Sequence, residues 1–188
     1  QEVPVGDVAV EVMDSSQTRF VSDEEIRKAI LGRFDGALGE PVNTLNLQNI
    51  EAFVEKHSAV KNCEVYNTVN GSLKVDLIQH LPLLRVFEND RTYYIDEQGN
   101  EMPTFDHYTS RVLIVSGHIA GEMEHLIYLA RYFRENPFWR AQFEQMFIKK
   151  NGDYVLVPRV GDHLILFGPP ERIHEKLRNL KAIYKKGL

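Results

Sequence analysis

One turn constrains the fold of this chain more than any other stretch. Asn70 and Gly71 separate two runs of alternating apolar and polar residues, 60–68 and 73–77. An Asn-Gly pair between alternating runs is a strong signal for a two-residue hairpin turn. The sequence therefore predicts a β-hairpin over residues 60–79. Pro82 comes soon after and stops the ladder, because proline has no amide to donate.

Two helices and a short strand are predicted before the hairpin. Ser22 and Glu25 form a capping box, which marks the start of the first helix. Asn46 can cap the second helix, which we predict over residues 46–56. Further upstream, valines alternate with other residues over 8–12, a pattern typical of a short strand at a sheet edge.

The predicted order is strand, helix, helix, strand, strand, in which two helices cover one face of a three-stranded sheet. From residue 83 onwards, further strand patterns mix with amphipathic helices at 122–134 and 171–186. We expect an α+β chain with two domains, residues 1–82 and residues 83–188. The second domain is expected to contain a mainly antiparallel sheet with flanking helices.

Composition narrows the classes of function. The chain has 188 residues and a net charge of -5, which argues against nucleic acid as the main partner, because phosphate binding relies on an excess of Lys and Arg. A single cysteine, Cys63, excludes an intrachain disulfide, and its place on the apolar side of a strand predicts a buried structural thiol. The apolar runs are too short to span a bilayer, which predicts a soluble chain. Gln1 in place of an initiator Met suggests that an upstream segment was removed.

The motifs of common enzyme families are absent from the sequence, including the phosphate-binding loop, the dinucleotide fingerprint and the zinc protease helix. Ser116 and His118 form the nearest approach to a nucleophile with a base, but we favour a strand end and turn. The seven histidines show no i, i+4 spacing, which disfavours a zinc site. Asp96 borders a Gly-containing turn and is more typical of a turn former than of a catalytic acid. No cofactor and no metal are expected. The basic last helix is interpreted as a solvated face over an apolar stripe.

Three passages together resemble the periplasmic region of the bacterial cell-division family FtsQ, also called DivIB. They are FVSDEEIRKAIL at 20–31, NTLNLQNIEAFVEKHSAVKNCEVYNTVNGSLKVDLIQHLPLLRV at 43–86, and YYIDEQGNEMP at 93–103. The hairpin region is similar to the POTRA module of that family, and the third passage resembles the start of its β domain. Two departures stand out: His57-Ser58 replaces the His-Pro common in the family, and the family's final strand, after the last helix, is expected to be missing.

The resemblance implies a non-enzymatic scaffold in the division machinery, anchored by an upstream helix in the inner membrane with this region in the periplasm. The implied partners are FtsB and FtsL, which would bind by adding a strand to an exposed sheet edge. In the family the final strand helps to dock FtsB. By position in the family, Lys149, Lys150 and Tyr154 are candidate contacts to an acidic partner, although they fit ordinary exposed hairpin residues equally well.

Two other functions stay open at this point. A POTRA-bearing transport or assembly component would share the first 82 residues, but the sequence shows neither POTRA repeats nor the alternating strands of an outer-membrane barrel. A hydrolase with a site near Asp96, Ser116 and His118 would need these side chains to converge in a pocket.

Overall fold

The structure is a computed structural model in which helices and strands form two compact units. It describes residues 4–13, 18–34, 38–41 and 44–187. The first unit consists of Gln1–Leu81 together with Phe105–Ser110, and the second of Pro82–Thr104 together with Arg111–Leu188. The α+β fold class is confirmed.

The first unit has the predicted order of elements. These are β1 (Asp7–Val12), α1 (Asp23–Arg33), α2 (Leu47–Val54), β2 (Val60–Asn67) and β3 (Ser72–Gln79). The strand order is β1-β3-β2, with β1 parallel and β2 antiparallel to β3. The first strand thus lies at a sheet edge, as its pattern predicted. Helix α1 buries Ile26 and Ile30, and helix α2 buries Ile50 and Val54.

The predicted helix starts are confirmed by their hydrogen bonds. The Ser22 hydroxyl accepts a bond of 3.2 Å from the Glu25 amide, and the Asn46 side-chain oxygen accepts one of 3.1 Å from the Asn49 amide. Each cap satisfies a backbone N–H that has no partner inside the helix, which stabilises the helix by about 1 kcal/mol.

The hairpin forms, but its turn differs from the prediction of a two-residue loop. The Thr68 amide donates to the Ser72 carbonyl at 2.9 Å, which leaves three residues in the loop. Gly71 adopts a φ of +80°, whereas Asn70 does not have a positive φ. A two-residue Asn-Gly turn needs a positive φ at both positions, while a three-residue loop needs it only at the glycine that forms the bulge.

A short segment from the later part of the chain, Phe105–Ser110, folds with the first unit. The Phe105 and Tyr108 rings pack against the buried Phe20, with ring centroids 4.9 and 5.2 Å away. The His107 ring nitrogen lies 3.0 Å from the Phe20 carbonyl oxygen. Aromatic packing therefore holds this segment against the core of the first unit.

The second unit contains seven strands and three helices among the described residues. They are β4 (Pro82–Glu88), β5 (Arg91–Asp96), β6 (Glu101–Pro103), β7 (Leu113–Gly117), α3 (Met123–Glu135), α4 (Pro137–Gln142), β8 (Phe143–Ile148), β9 (Tyr154–Pro158), β10 (Ile165–Gly168) and α5 (Ile173–Lys185). The helix α4 ends at Gln142, and Phe143 begins β8 directly after it. The last helix begins at Ile173, two residues after its predicted start.

The seven strands form one mixed sheet in the order β10-β9-β8-β7-β4-β5-β6. The pairings of β7 with β4 and with β8 are parallel and the other four are antiparallel, so the sheet is mainly antiparallel, as expected. One face of this sheet carries the hydrophobic core, where it packs against α3, α4 and α5. The sheet residues at the centre of that core lie in cross-strand register and are Val86, Val115, Met146 and Leu156.

Candidate functional site

The strand β10 lies at one edge of the seven-stranded sheet and carries no charged residue or proline; it is four residues long, and its register with β9 shifts between Leu166 and Gly168. It pairs with β9 on one side, through Ile165 with Leu156 and Leu166 with Val155. Natural edge strands are commonly blunted by charged residues or proline, because an open ladder invites another chain to pair. The four residues of β10, Ile-Leu-Phe-Gly, include neither.

Apolar side chains beside this edge are exposed to solvent. The exposed fractions of Leu164 and Leu166 are 62% and 74%. Phe167, on the opposite face of the strand, is buried in the core. The alternation directs Leu166 away from the core, so β10 offers both backbone groups and an apolar side chain to a partner.

The face that carries Leu166 continues across the sheet as a cross-strand row, in which exposed apolar side chains alternate with the buried Val155 and the polar Ser116. The register places Leu166 opposite Val155, Val155 opposite Phe147, and Phe147 opposite Ser116, which pairs in turn with Phe87. Phe147 and Phe87 are exposed at 42% and 39%. We call this cross-strand row, residues 87, 116, 147, 155 and 166, the open face. A strand added to β10 would extend it, and its side chains would meet Leu166 as cross-strand neighbours.

The opposite edge of the sheet is less suited to pairing. The strand β6 has three residues and ends in Pro103, which has no amide to donate. Among the described residues of the second unit, β10 is therefore the edge strand that carries neither charge nor proline.

The structure separates the three residues that the family resemblance singles out. Lys149 and Lys150 are exposed at the turn between β8 and β9, where the Lys149 amide and carbonyl close the turn. Tyr154 is fully buried, and its hydroxyl donates a 2.7 Å hydrogen bond to the Glu122 carboxylate. Burial and this carboxylate raise the pKa of Tyr154. The Tyr154 side chain thus offers no surface to a partner in this structure.

The residues considered for a hydrolase have other partners. The Asp96 carboxylate accepts hydrogen bonds from the Gln98 and Asn100 amides, at 2.9 and 2.8 Å, and closes the turn after β5. The Ser116 hydroxyl accepts a 3.0 Å bond from the Gln145 side chain. Neither bond leads to His118, so the geometry does not assemble a nucleophile with its base. In the described part of the chain, no three His, Cys, Asp or Glu side chains cluster as metal ligands.

Cys63 is confirmed as a buried thiol, with 4% of its surface exposed. Burial, together with the Glu51 and Glu55 carboxylates, raises the pKa of its thiol from 9.0 to about 12. A thiolate is the reactive form of cysteine, so this environment suppresses nucleophilic chemistry.

We expect Cys63 to resist thiol reagents at mildly alkaline pH while the chain is folded, and to react once guanidinium unfolds it. Between pH 9 and about 12 the folded state keeps a proton that the unfolded state loses, so this group makes stability fall as pH rises through that window. Absorbance from a chromogenic disulfide reagent measures the reaction. Rapid labelling of the folded chain would contradict the burial of Cys63.

Two family models match the chain in consecutive stretches. A POTRA-like domain matches residues 5–78, and the model for FtsQ/DivIB, C-terminal related, matches residues 81–188, more than half of the chain. The chain belongs to the FtsQ/DivIB family. No curated protein matches the chain. The second match favours a division protein over a POTRA-bearing transport component, which would share only the first stretch.

Membership of the FtsQ/DivIB family supports a role in cell division with division proteins as partners, and a membrane-associated periplasmic domain. Both matching families are scaffold-type domains. Within the described residues, no helix combines the length and apolar character required to cross a bilayer.

The edge itself was not identified as a site from the sequence, although its signal is visible there. The last residues of the stretch 162–167 contain no charge, but only the sheet order reveals that the strand they form lies at an edge. An uncharged apolar strand followed by Gly168 and two prolines is the signal that could have drawn attention to it.

Proposed function

We propose that this chain is the periplasmic part of a non-enzymatic scaffold of the divisome, held in the inner membrane by a single-pass helix and acting in septation by recruiting FtsB and FtsL. The observation that carries the proposal is the edge strand β10, which contains neither charge nor proline and exposes Leu166. Family membership supports division proteins as the partners. FtsB and FtsL are the partners implied by the sequence resemblance.

The recruitment we propose is strand addition. A segment of the partner runs along β10 and exchanges backbone hydrogen bonds with it, which supplies affinity without a preformed pocket. Specificity comes from alternate side chains of the added strand, which pack against Leu166 and the open face. This mode requires no catalytic residue, in keeping with the scattered hydrogen-bond partners of Asp96 and Ser116.

Lys149 and Lys150 are proposed to receive acidic side chains of the partner. The register aligns Ile148 with Tyr154 and Tyr154 with Gly168, so the lysines lie just beyond this row, at the end of the sheet where β10 finishes. Both are exposed, and among the described residues neither forms an ion pair. An acidic residue near one end of the added strand would reach them.

We also propose that residues 1–82 and 83–188 act as separate modules, the first of POTRA type and the second carrying the docking edge. The two family matches, 5–78 and 81–188, support this division. The two compact units support it as well, apart from Phe105–Ser110.

Retention on immobilised periplasmic segments of FtsB and FtsL tests the proposed function. We expect both this chain and a version extended past Leu188 to be retained, and neither to bind a scrambled segment of the same composition. Loss of retention for both versions would refute recruitment of these partners. If the extended version alone were retained, the docking element would be residues that follow Leu188 rather than β10.

Reversing the charge of both lysines, K149E/K150E, is expected to weaken partner binding about threefold to tenfold, because exposed ion pairs each contribute roughly 0.2–1 kcal/mol. The loss should shrink at high salt, which screens exposed charges. Isothermal titration at two salt concentrations measures both effects. The control K185E/K186E changes the same charge at the end of α5, and an equal loss there would show that only net charge matters.

A further inference from the structure

A small apolar cavity in the second unit opens between α3, α4 and the starts of β7 and β8. Its volume is about 100 Å³. Val112 lines it, and the apolar side chains that line its inner part are Leu83, Leu113, Ala130, Phe133, Trp139 and Phe143. Those six residues are buried in the hydrophobic core, so the cavity is a gap in the packing that reaches the surface.

Aromatic rings make the wall of this cavity rigid. Trp139 and Phe143 stack with ring centroids 5.5 Å apart and planes at 12° to each other. Phe133 packs against both, at 6.2 Å from Trp139 and 5.0 Å from Phe143. Rings locked by mutual contact do not readily collapse into the gap, so its shape is preformed for an apolar group.

Arginines surround the opening of the cavity. Arg111, Arg140 and Arg159 are exposed, and none of them forms an ion pair or a side-chain hydrogen bond with any residue that the structure describes. A fourth arginine at the opening, Arg134, forms an ion pair with Glu97. Three guanidinium groups without partners thus converge on one apolar opening, in a chain whose net charge is -5.

We propose that this cavity binds an acidic peptide segment of a partner protein, with one aliphatic side chain inserted between Phe133, Trp139 and Ala130. Carboxylates flanking that side chain bind Arg111, Arg140 and Arg159, whose planar guanidinium groups match a carboxylate with two parallel hydrogen bonds. An apolar anchor in a buried pocket, surrounded by a polar rim, is a common arrangement at protein interfaces. This site is distinct from the strand edge, and the proposal does not depend on the function proposed above.

The volume favours a peptide over a lipid. A cavity of roughly 150 Å³ holds a benzene-sized molecule. The present cavity is smaller, so it accommodates a leucine-sized side chain but neither an indole ring nor the length of an acyl chain. An anionic lipid would satisfy the arginines while leaving the cavity empty.

Selection from a random peptide display library on the full chain tests the proposal. We expect the recovered peptides to carry Leu, Ile, Val or Met flanked by Asp or Glu, and to bind the double variant R111E/R140E at least about tenfold more weakly. The matched control K185E/K186E reverses two exposed charges at the end of α5 and should bind like the unaltered chain. The proposal would be overturned if the recovered peptides lacked acidic residues, or if they bound R111E/R140E as tightly as the unaltered chain.

Two further measurements separate the cavity from the charges around it. Trp139 is the only tryptophan in the chain, so its emission should shift when a recovered peptide fills the cavity. The variant A130L fills the cavity without changing charge and should abolish that shift while a thermal melt shows the fold intact; if it unfolds the chain, A130V replaces it. Vesicles of phosphatidylglycerol serve as the lipid probe. If the vesicles shift Trp139 emission and no acidic peptide does, the result contradicts a peptide ligand.

Discussion

Replacing Gly117 with alanine is expected to destabilise the second unit by about 4 kcal/mol or more. Gly117 ends β7 at a φ of +100°, a conformation that residues with a side chain rarely adopt. An added Cβ would lie 2.1 Å from the carbonyl oxygen of Ile148. That oxygen also accepts a 2.9 Å hydrogen bond from the His118 amide, so it cannot retreat without breaking the bond. The strands β7 and β8 are central in the sheet, and their separation would disrupt the core.

Urea denaturation followed by circular dichroism and by Trp139 emission measures this loss. The control G121A has a similar φ of +81°, but an added Cβ would meet no heavy atom within 4 Å. We expect G121A to cost about 1 kcal/mol, from backbone strain alone. Equal costs for the two variants would show that the close approach of β7 to β8 is not as described.

Substituting glutamate for Leu166 is expected to reduce affinity for the FtsB and FtsL segments at least about thirtyfold. This factor corresponds to a loss of about 2 kcal/mol of binding free energy, which is typical of an interface hot spot. A strand added to β10 would place its side chains beside Leu166, so a carboxylate there would be desolvated among apolar neighbours. Because 74% of Leu166 is exposed, L166E should leave the unfolding free energy almost unchanged.

The control for L166E is I183E on α5, which introduces the same charge at another exposed apolar residue of the second unit. Isothermal titration should find the I183E variant unaltered in affinity. If L166E binds as tightly as the unaltered chain, the partner does not use the open face beside β10.

Local signals made most of the first unit predictable. The caps at Ser22 and Asn46 and the alternation in β2 and β3 depend on residues close in sequence, which single-chain patterns report well. The loop at Gly71 was harder, because an Asn-Gly pair serves both two-residue turns and the glycine position of a three-residue loop. Phe105 packs on Phe20 although the two residues lie 85 positions apart in the sequence, and local patterns do not report contacts over such a separation.

The second unit was less predictable, for two physical reasons. The strand β9 buries three consecutive residues, Tyr154, Val155 and Leu156. The alternation that distinguishes inward from outward side chains is therefore absent, and the sequence alone does not reveal that Tyr154 is buried. The parallel pairings of β7 with β4 and β8 are long-range, so the edge position of β10 could not be derived from its own residues. The basic rim of the cavity likewise combines arginines from distant segments.

Hydrogen exchange with mass spectrometry, with and without the FtsB and FtsL segments, tests strand addition at β10 most directly. Strand addition predicts that bound segments slow amide exchange in residues 164–168, because the free side of the ladder becomes hydrogen-bonded, while the edge strand β6 exchanges as before. Binding that leaves exchange in 164–168 unchanged and slows it elsewhere would contradict the β10 edge as the docking site.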